Sequence, residues 1–408
     1  MRIMRAVFLA LFIMLCATFA AAQVDTPVTF HQQAILTASD GAAQDFLGDS
    51  AAMSGDTVVA GAPQTLGAAG KAYVFVKPAS GWANMTQTAE LTPSDGVPGL
   101  AFGSHVAISG DTIVVDAGAS DGTGLQAVYV FVKPASGWTD MIETAKLTVP
   151  NRNFLYTVAV SGNTIAAAAT EETIGSNAYQ GAVYIFEKPE TGWRSGLAPT
   201  ARLTASDGES GDYLGFALAS NASTVVATAI NRAAYVFVEP AGGWVSGAQT
   251  AKLTSPNETG SDEFGDSVAI GSRTIVVGAP ETGSEQEYYG AAYVYEEPTS
   301  GWGAGAQGGE IQSPNFQNEA FFGNSVGVSG SLLAIGANGE NVEGIQLVGA
   351  VYVFNGTTQI AELTPSDVQA VECMGWSVAA SGSTVAAGAI YATVGSNSQQ
   401  GEVYVFGA

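Results

Sequence analysis

The chain has 408 residues, with 37 acidic against 13 basic side chains, a formal net charge of −24, and only 12% charged residues in all. A surface this acidic repels nucleic acid and anionic membranes, which excludes both as expected partners. Hydrophobic residues at 47% allow a substantial core, and 51 glycines point to a β-rich chain with many tight turns and away from a helical one.

Residues 1–22 read as a secretory signal peptide. Arg2 and Arg5 form its basic start, Ala6 to Thr18 its apolar stretch, and Ala20-Ala21-Ala22 a small-residue cut before Gln23. A secreted or periplasmic protein is expected, with no membrane span after cleavage. Removal of the signal takes Cys16 with it and leaves Cys373 alone, so no internal disulfide is expected. Residues 23–32 form a short N-terminal extension that includes His31.

From residue 33 to residue 408 the sequence repeats itself. A short segment recurs as Ile35-Leu36-Thr37, Glu90-Leu91-Thr92, Lys146-Leu147-Thr148, Arg202-Leu203-Thr204, Lys252-Leu253-Thr254, Glu310-Ile311-Gln312 and Glu362-Leu363-Thr364. Each copy predicts four short strands. The first, such as Phe264 to Ile270, alternates bulky and small residues, so that the bulky face of one sheet fits the small face of the next. The second, such as Thr274 to Ala279, is apolar on both faces. Between them lie tight turns of the type Ser54-Gly55-Asp56-Thr57. The third carries an aromatic pair two residues apart, from Tyr73/Phe75 to Tyr404/Phe406, and the Leu-Thr segment is the fourth. In five copies Pro-x-x-Gly-Trp leads into it, and Trp82, Trp138, Trp193, Trp244 and Trp302 are expected to pack against their own turns. The last copy ends at its third strand, whereas Gln33 to Ser39 is a fourth strand with no blade of its own. The expected fold is therefore all-β, a seven-bladed β-propeller with four antiparallel strands per blade. The N-terminal strand pairs with Gly401 to Phe406 and closes the last blade.

Phe264-Gly265 with Gly278-Ala279-Pro280 resembles the FG-GAP repeat of the integrin α-chain propeller and its bacterial secreted relatives. Leu47-Gly48 with Gly61-Ala62-Pro63, Phe102-Gly103, Phe322-Gly323 with Gly336-Ala337, and Met374-Gly375 with Gly388-Ala389 are further copies. At Phe154-Leu155 the glycine is lost. The resemblance implies an Asp-rich calcium loop between the first two strands, but here that turn is only Ser-Gly-Asp-Thr or Ser-Gly-Asn-Thr. One carboxylate on a tight hairpin does not cage calcium, so no cofactor is expected and calcium binding at most weakly.

No HExxH, Walker or paired-cysteine motif is present. His105 occupies a slot held elsewhere by Ser267 or Ser325 and reads as structural. The acids cluster in the loops joining second to third and fourth to first strands, which share one face in this strand order. Asp121, Glu171, Glu172, Tyr179, Glu285, Glu287, Tyr288, Tyr289, Glu340 and Glu343 are the candidate partner-binding residues there, with Asp40, Asp45, Asp95, Asp207, Asp212, Asp262 and Asp367 nearby. Lys77, Lys133, Lys188 and Arg194 fall on the opposite face, so a polarised molecule is expected. The function expected is non-catalytic recognition of an extracellular or envelope protein or glycan by a monomer. A carboxylate hydrolase on the same face, which needs two acids, is the alternative.

Overall fold

The computed structural model describes residues 29–64, 69–117, 127–149, 155–256, 262–284, 287–303 and 308–408. Every regular element among them is a β-strand, and no helix among them is long and apolar enough to cross a membrane. The proposed signal segment lies outside the described residues.

Seven small sheets form the blades of a propeller. Blade 1 holds Ala51–Ser54, Thr57–Ala62, Lys71–Val76 and Ala89–Thr92, and the later blades repeat that order up to Val326–Ser329, Leu332–Ala337, Ala350–Asn355 and Thr358–Leu363 in blade 6. Blade 7 joins Met374–Ser381, Thr384–Ala389 and Glu402–Gly407 to the N-terminal strand His31–Thr37. That closing pair is antiparallel, with His31 opposite Gly407 and Leu36 opposite Val403. The strand begins two residues before the expected Gln33, so His31 belongs to the closure.

The core lies between blades. Every third-strand aromatic pair is buried, as are the five turn tryptophans. The second strands are buried on both faces, as their Val-, Ile- and Ala-rich content requires.

The paired glycines of the repeat have one cause. Gly323 adopts φ +97°, a region closed to most side chains, and its carbonyl is thereby turned toward Gly278 of the preceding blade. The Ser267 hydroxyl donates to the same oxygen at 2.8 Å. Equivalent bonds run from Ser50 to Gly103, Thr157 to Gly215, Thr228 to Gly265, Ser325 to Gly375 and Ser377 to Gly48, at 2.7 to 2.9 Å. Six junctions around the ring are thus sewn by one hydroxyl–carbonyl bond each. The junction between blades 2 and 3, where the repeat lost its glycine, is built differently: Asp116 stands in the glycine slot and His105 in the serine slot. The Asp116 carboxylate, 1% exposed, accepts the His105 backbone N–H at 2.7 Å and meets its Nδ1 at 3.1 Å.

The short hairpins form a second ring on the opposite face. The Gly110 N–H donates to Ser54 Oγ, Gly162 to Ser109, Gly382 to Ser329 and Gly55 to Ser381, each bond joining neighbouring blades at 2.8 to 3.1 Å. This explains the Ser-Gly that recurs in five of the seven turns, none of which carries a metal loop; in blade 4 Asn221 takes the serine's place and its Nδ2 donates to the Gly271 carbonyl at 2.6 Å. Among the described residues no group of three or more His, Cys, Asp or Glu is placed to hold a metal. Calcium is accordingly expected to leave the melting temperature unchanged at micromolar concentration, with binding no tighter than about 10⁻⁴ M by calorimetry. A rise in melting temperature at micromolar calcium would contradict this.

Candidate functional site

The loops joining second to third and fourth to first strands share one face, which also holds the mouth of a central cavity of about 660 Å³. First strands from all seven blades line it. The residue after the repeat glycine faces it in six of them: Asp49, Ser104, Phe216, Asp266, Asn324 and Trp376. Burial pushes the Asp49 carboxyl up to about 6 against the pull of His105, and pushes Asp266 up to about 7 with help from Glu263 and Glu281.

Most of the expected acidic loop residues serve the fold. Asp40, Asp95 and Asp367 reach into the next blade and accept the hydroxyl of its third-strand tyrosine, Tyr73, Tyr129 or Tyr404, at 2.8 to 3.0 Å. Asp40 also pairs with Lys71, Asp95 with Lys146, and Asp207 with Lys252. Burial alone would raise these three aspartates, but the neighbouring ammonium and phenol groups outweigh it and hold them below the usual carboxylate range. Asp45, Asp212 and Glu372 are buried turn formers that accept the backbone N–H three residues earlier, at 2.7 to 2.8 Å. With Lys71, Lys146, Arg202, Arg232 and Lys252 among these acids, and Lys77 and Lys133 paired to Asp56 and Asp111 opposite, charge is less separated than the sequence suggested.

The ten candidate contact residues divide accordingly. Glu172 and Glu340 require correction, because both are buried. Glu172 lies 3.4 Å from Arg202, and Glu340, 1% exposed, accepts Tyr352 Oη at 2.6 Å and Asn315 Nδ2 at 2.6 Å. Neither reaches a partner. Glu171, Glu287 and Glu343 are exposed, Tyr288 and Tyr289 half-buried, and Tyr289 Oη bonds Glu287. Tyr179 is exposed with its ring 5.7 Å from that of Tyr213. Asp121 and Glu285 lie outside the described residues.

Sequence reasoning placed Tyr179, Tyr288 and Tyr289 on this face but missed Tyr213, Phe316 and Trp376. Tyr179, Tyr213, Phe316 and Trp376 are 48%, 38%, 55% and 36% exposed, and they are the only aromatic side chains among the large exposed apolar residues described. All four stand on the loop face. Trp376 continues into Tyr391 and Phe46 through edge-to-face contacts at 6.1 and 5.7 Å. The available signal was positional: Trp376 and Phe216 follow the repeat glycine, where other copies carry Asp, Ser or Asn.

Blade 7 contains a buried acidic knot. Carboxyl oxygens of Glu402, Asp367 and Glu372 stand 2.6, 3.0 and 3.1 Å from Tyr404 Oη, which donates only one hydrogen. Three acids thus crowd one buried hydroxyl, and a full set of negative charges is disfavoured there. Burial pushes Glu372 and Glu402 up to about 7, and the neighbouring carboxylates add to the rise. The folded chain therefore binds more protons than the unfolded chain between the ordinary glutamate value of 4.5 and about 7, and stability falls as pH rises through that window. Asp40, Asp95 and Asp207, held low, lose their contribution only as pH falls below about 4. The melting temperature is thus expected to peak between about pH 4 and 5 and to decline toward 7.5, by on the order of a few kcal/mol of stability. Replacing Glu372 and Glu402 by Gln should flatten the decline, and a thermal scan across pH with a maximum at or above 7 would contradict the assignment.

The FG-GAP repeat family matches residues 30–75, 85–131, 248–295 and 357–406. Each matched stretch runs from the fourth strand of one blade to the third strand of the next, the same offset by which the N-terminal strand closes the ring. No curated protein matches the chain.

Proposed function

The chain is an FG-GAP repeat β-propeller, a fold that serves protein interaction in general, and from this premise we propose that it is an exported, non-catalytic recognition module. It engages an extracellular or envelope protein or glycan through the loop face. One observation carries the reading: among the described residues the exposed aromatic side chains Tyr179, Tyr213 and Phe316 stand in the loops of that face, and the fourth, Trp376, lines the central cavity. Exposed aromatics among polar residues supply large, rigid contact area and dominate binding energy where they are covered.

The test is retention of a partner from envelope and culture fractions by the purified mature protein. Replacing Tyr213, Phe316 and Trp376 by Ser is expected to weaken retention at least tenfold. Replacing Ile142 and Val245, exposed on the opposite face, should leave it unchanged. Equal retention by both variants would sink the reading.

A carboxylate hydrolase is the second reading, favoured by Asp49 and Asp266, both raised toward neutrality and lining one cavity. It predicts abrupt loss of turnover in Asp266→Asn, whereas the recognition module predicts graded loss of affinity.

A further inference from the structure

The side chains that line the central cavity form two levels. The upper level is the residue after each repeat glycine, and the lower is the residue two further along the same strand, which points the same way. The lower level is an apolar floor of Val106, Val158, Leu218, Val268, Val326 and Val378. The upper level is a mixed collar, with Phe216 in blade 4, Asp266 in blade 5, Asn324 in blade 6 and Trp376 in blade 7. Two polar residues thus stand side by side between two aromatic ones, above a floor of hydrocarbon.

The two carboxylates of the collar differ. Asp49 lies beside the His105 imidazole and the Trp376 indole N–H, both of which favour its charge. Asp266 has no such help. The charges that act on it are those of Glu263 and Glu281, both of its own sign, and its carboxylate accepts no hydrogen bond among the described residues. In the next blade Asn324 Nδ2 donates to the Gly375 and Trp376 carbonyls at 3.2 and 3.1 Å, which fixes the amide and leaves its Oδ1 without a donor. Asn338, one residue past the strand Leu332–Ala337, lines the same cavity and is only 9% exposed, and its Oδ1 also lacks a donor. Buried oxygens left in this state are rare and costly. One carboxylate and two amide oxygens on neighbouring blades are therefore short of donors, and the carboxylate is short of a positive charge.

We propose that the central cavity binds a free alkylammonium ion, its charged head at the collar beside Asp266, Asn324 and Asn338 and its hydrocarbon tail on the apolar floor. An ammonium head carries three donors and no acceptor, which matches three acceptors of which one is charged. Phe216 and Trp376 flank the head with aromatic surface, which attracts a cation. The cavity, about 660 Å³, falls within the range of small-ligand sites, about 300–1,000 Å³. A quaternary ammonium brings the charge but no hydrogen for the amide oxygens, and a neutral alcohol brings a hydrogen but no charge. A lysine of a partner protein enters ammonium first, which drives its charge past the collar and onto the floor. The ligand is accordingly a free amine.

The experiment titrates the mature protein with n-butylamine at pH 8, where Asp266, raised to about 7, is ionised, and follows the ligand by saturation-transfer NMR. Saturable binding is expected, tighter by about tenfold or more than that of n-butanol, tetramethylammonium or Nα-acetyl-lysine methylamide, the difference that one charge-assisted hydrogen bond makes. Asp266→Asn keeps the shape and removes the charge, and should weaken butylamine by about tenfold or more without lowering the melting temperature. Asp111→Asn, at an exposed carboxylate of the opposite face, should leave binding unchanged. Should Asp266→Asn not fold, the unaltered chain supplies a second reading: saturating butylamine protects the backbone amides of Asp266 to Val268 and Asn324 to Val326 from hydrogen exchange. Equal binding of n-butanol or of the lysine derivative, butylamine binding undiminished in Asp266→Asn, or protection confined to other segments would overturn the proposal. No partner protein enters the experiment, so the site stands or falls apart from the recognition reading.

Discussion

Deleting residues 23–40 is expected to cost several kcal/mol and to leave a chain that unfolds or associates edge to edge. The strand His31–Thr37 is the fourth strand of blade 7, and its Ala34 and Leu36 are buried against the adjoining blades. Burial of a large apolar side chain is worth about 1.5–3 kcal/mol, and the strand also contributes Ile35 and a ladder of backbone hydrogen bonds. Its own outer edge is covered in turn by Met85–Thr86, which runs parallel to it, while Asn84 Oδ1 accepts the Ile35 N–H at 2.8 Å. Removal therefore bares Glu402–Gly407 and strips a contact from blade 1. Set against a usual total of about 5–15 kcal/mol, such a loss is decisive. Urea melts and size-exclusion chromatography of the truncated chain check it. A truncated protein that melts like the intact one and stays monomeric would refute closure by this strand.

Gly278→Val is expected to cost about 3 kcal/mol or more, through a junction and not through a strand. A Cβ at Gly278 would stand 1.9 Å from the Gly323 carbonyl oxygen and 2.3 Å from Ser267 Oγ. The first of these is backbone of the next blade and cannot swing aside. Blades 5 and 6 must move apart, and the Ser267–Gly323 bond breaks with them. Gly242→Ala is the control, because a Cβ there meets nothing within 4 Å. It should change stability by less than about 0.5 kcal/mol. Equal melting of the two variants would show that the glycine pairing is incidental to the ring.

The blade count was legible because each copy repeats chemistry that only one arrangement satisfies. Tyr404 and Phe406 needed a neighbouring sheet, and only Gln33 to Ser39 was left over to provide one. The fate of the acids was not legible. Asp40 is held by Tyr73, 33 residues onward and in the next blade, a contact set by how blades stack and not by any local pattern. The same stacking buries Glu340 under Tyr352, so that a residue read as a surface contact became part of the core. Asp45 was within local reach of analysis, since an acid accepting the N–H three residues before it is an ordinary loop device. Tyr179 was legible, but Trp376 escaped because, read along the strand, it looks like one more bulky residue. Only the ring turns it toward the axis.

The central claim is that partners meet the loop face around the cavity. Hydrogen exchange of the mature protein with and without its retained partner tests it most directly. Protection is predicted at the backbone amides of 212–216, 315–322 and 371–376, which carry Tyr213, Phe316 and Trp376, while the hairpin amides of Gly55, Gly110 and Gly162 exchange as in the free protein. Protection confined to those hairpins, with the three loop segments unchanged, would place the partner on the opposite face and contradict the account.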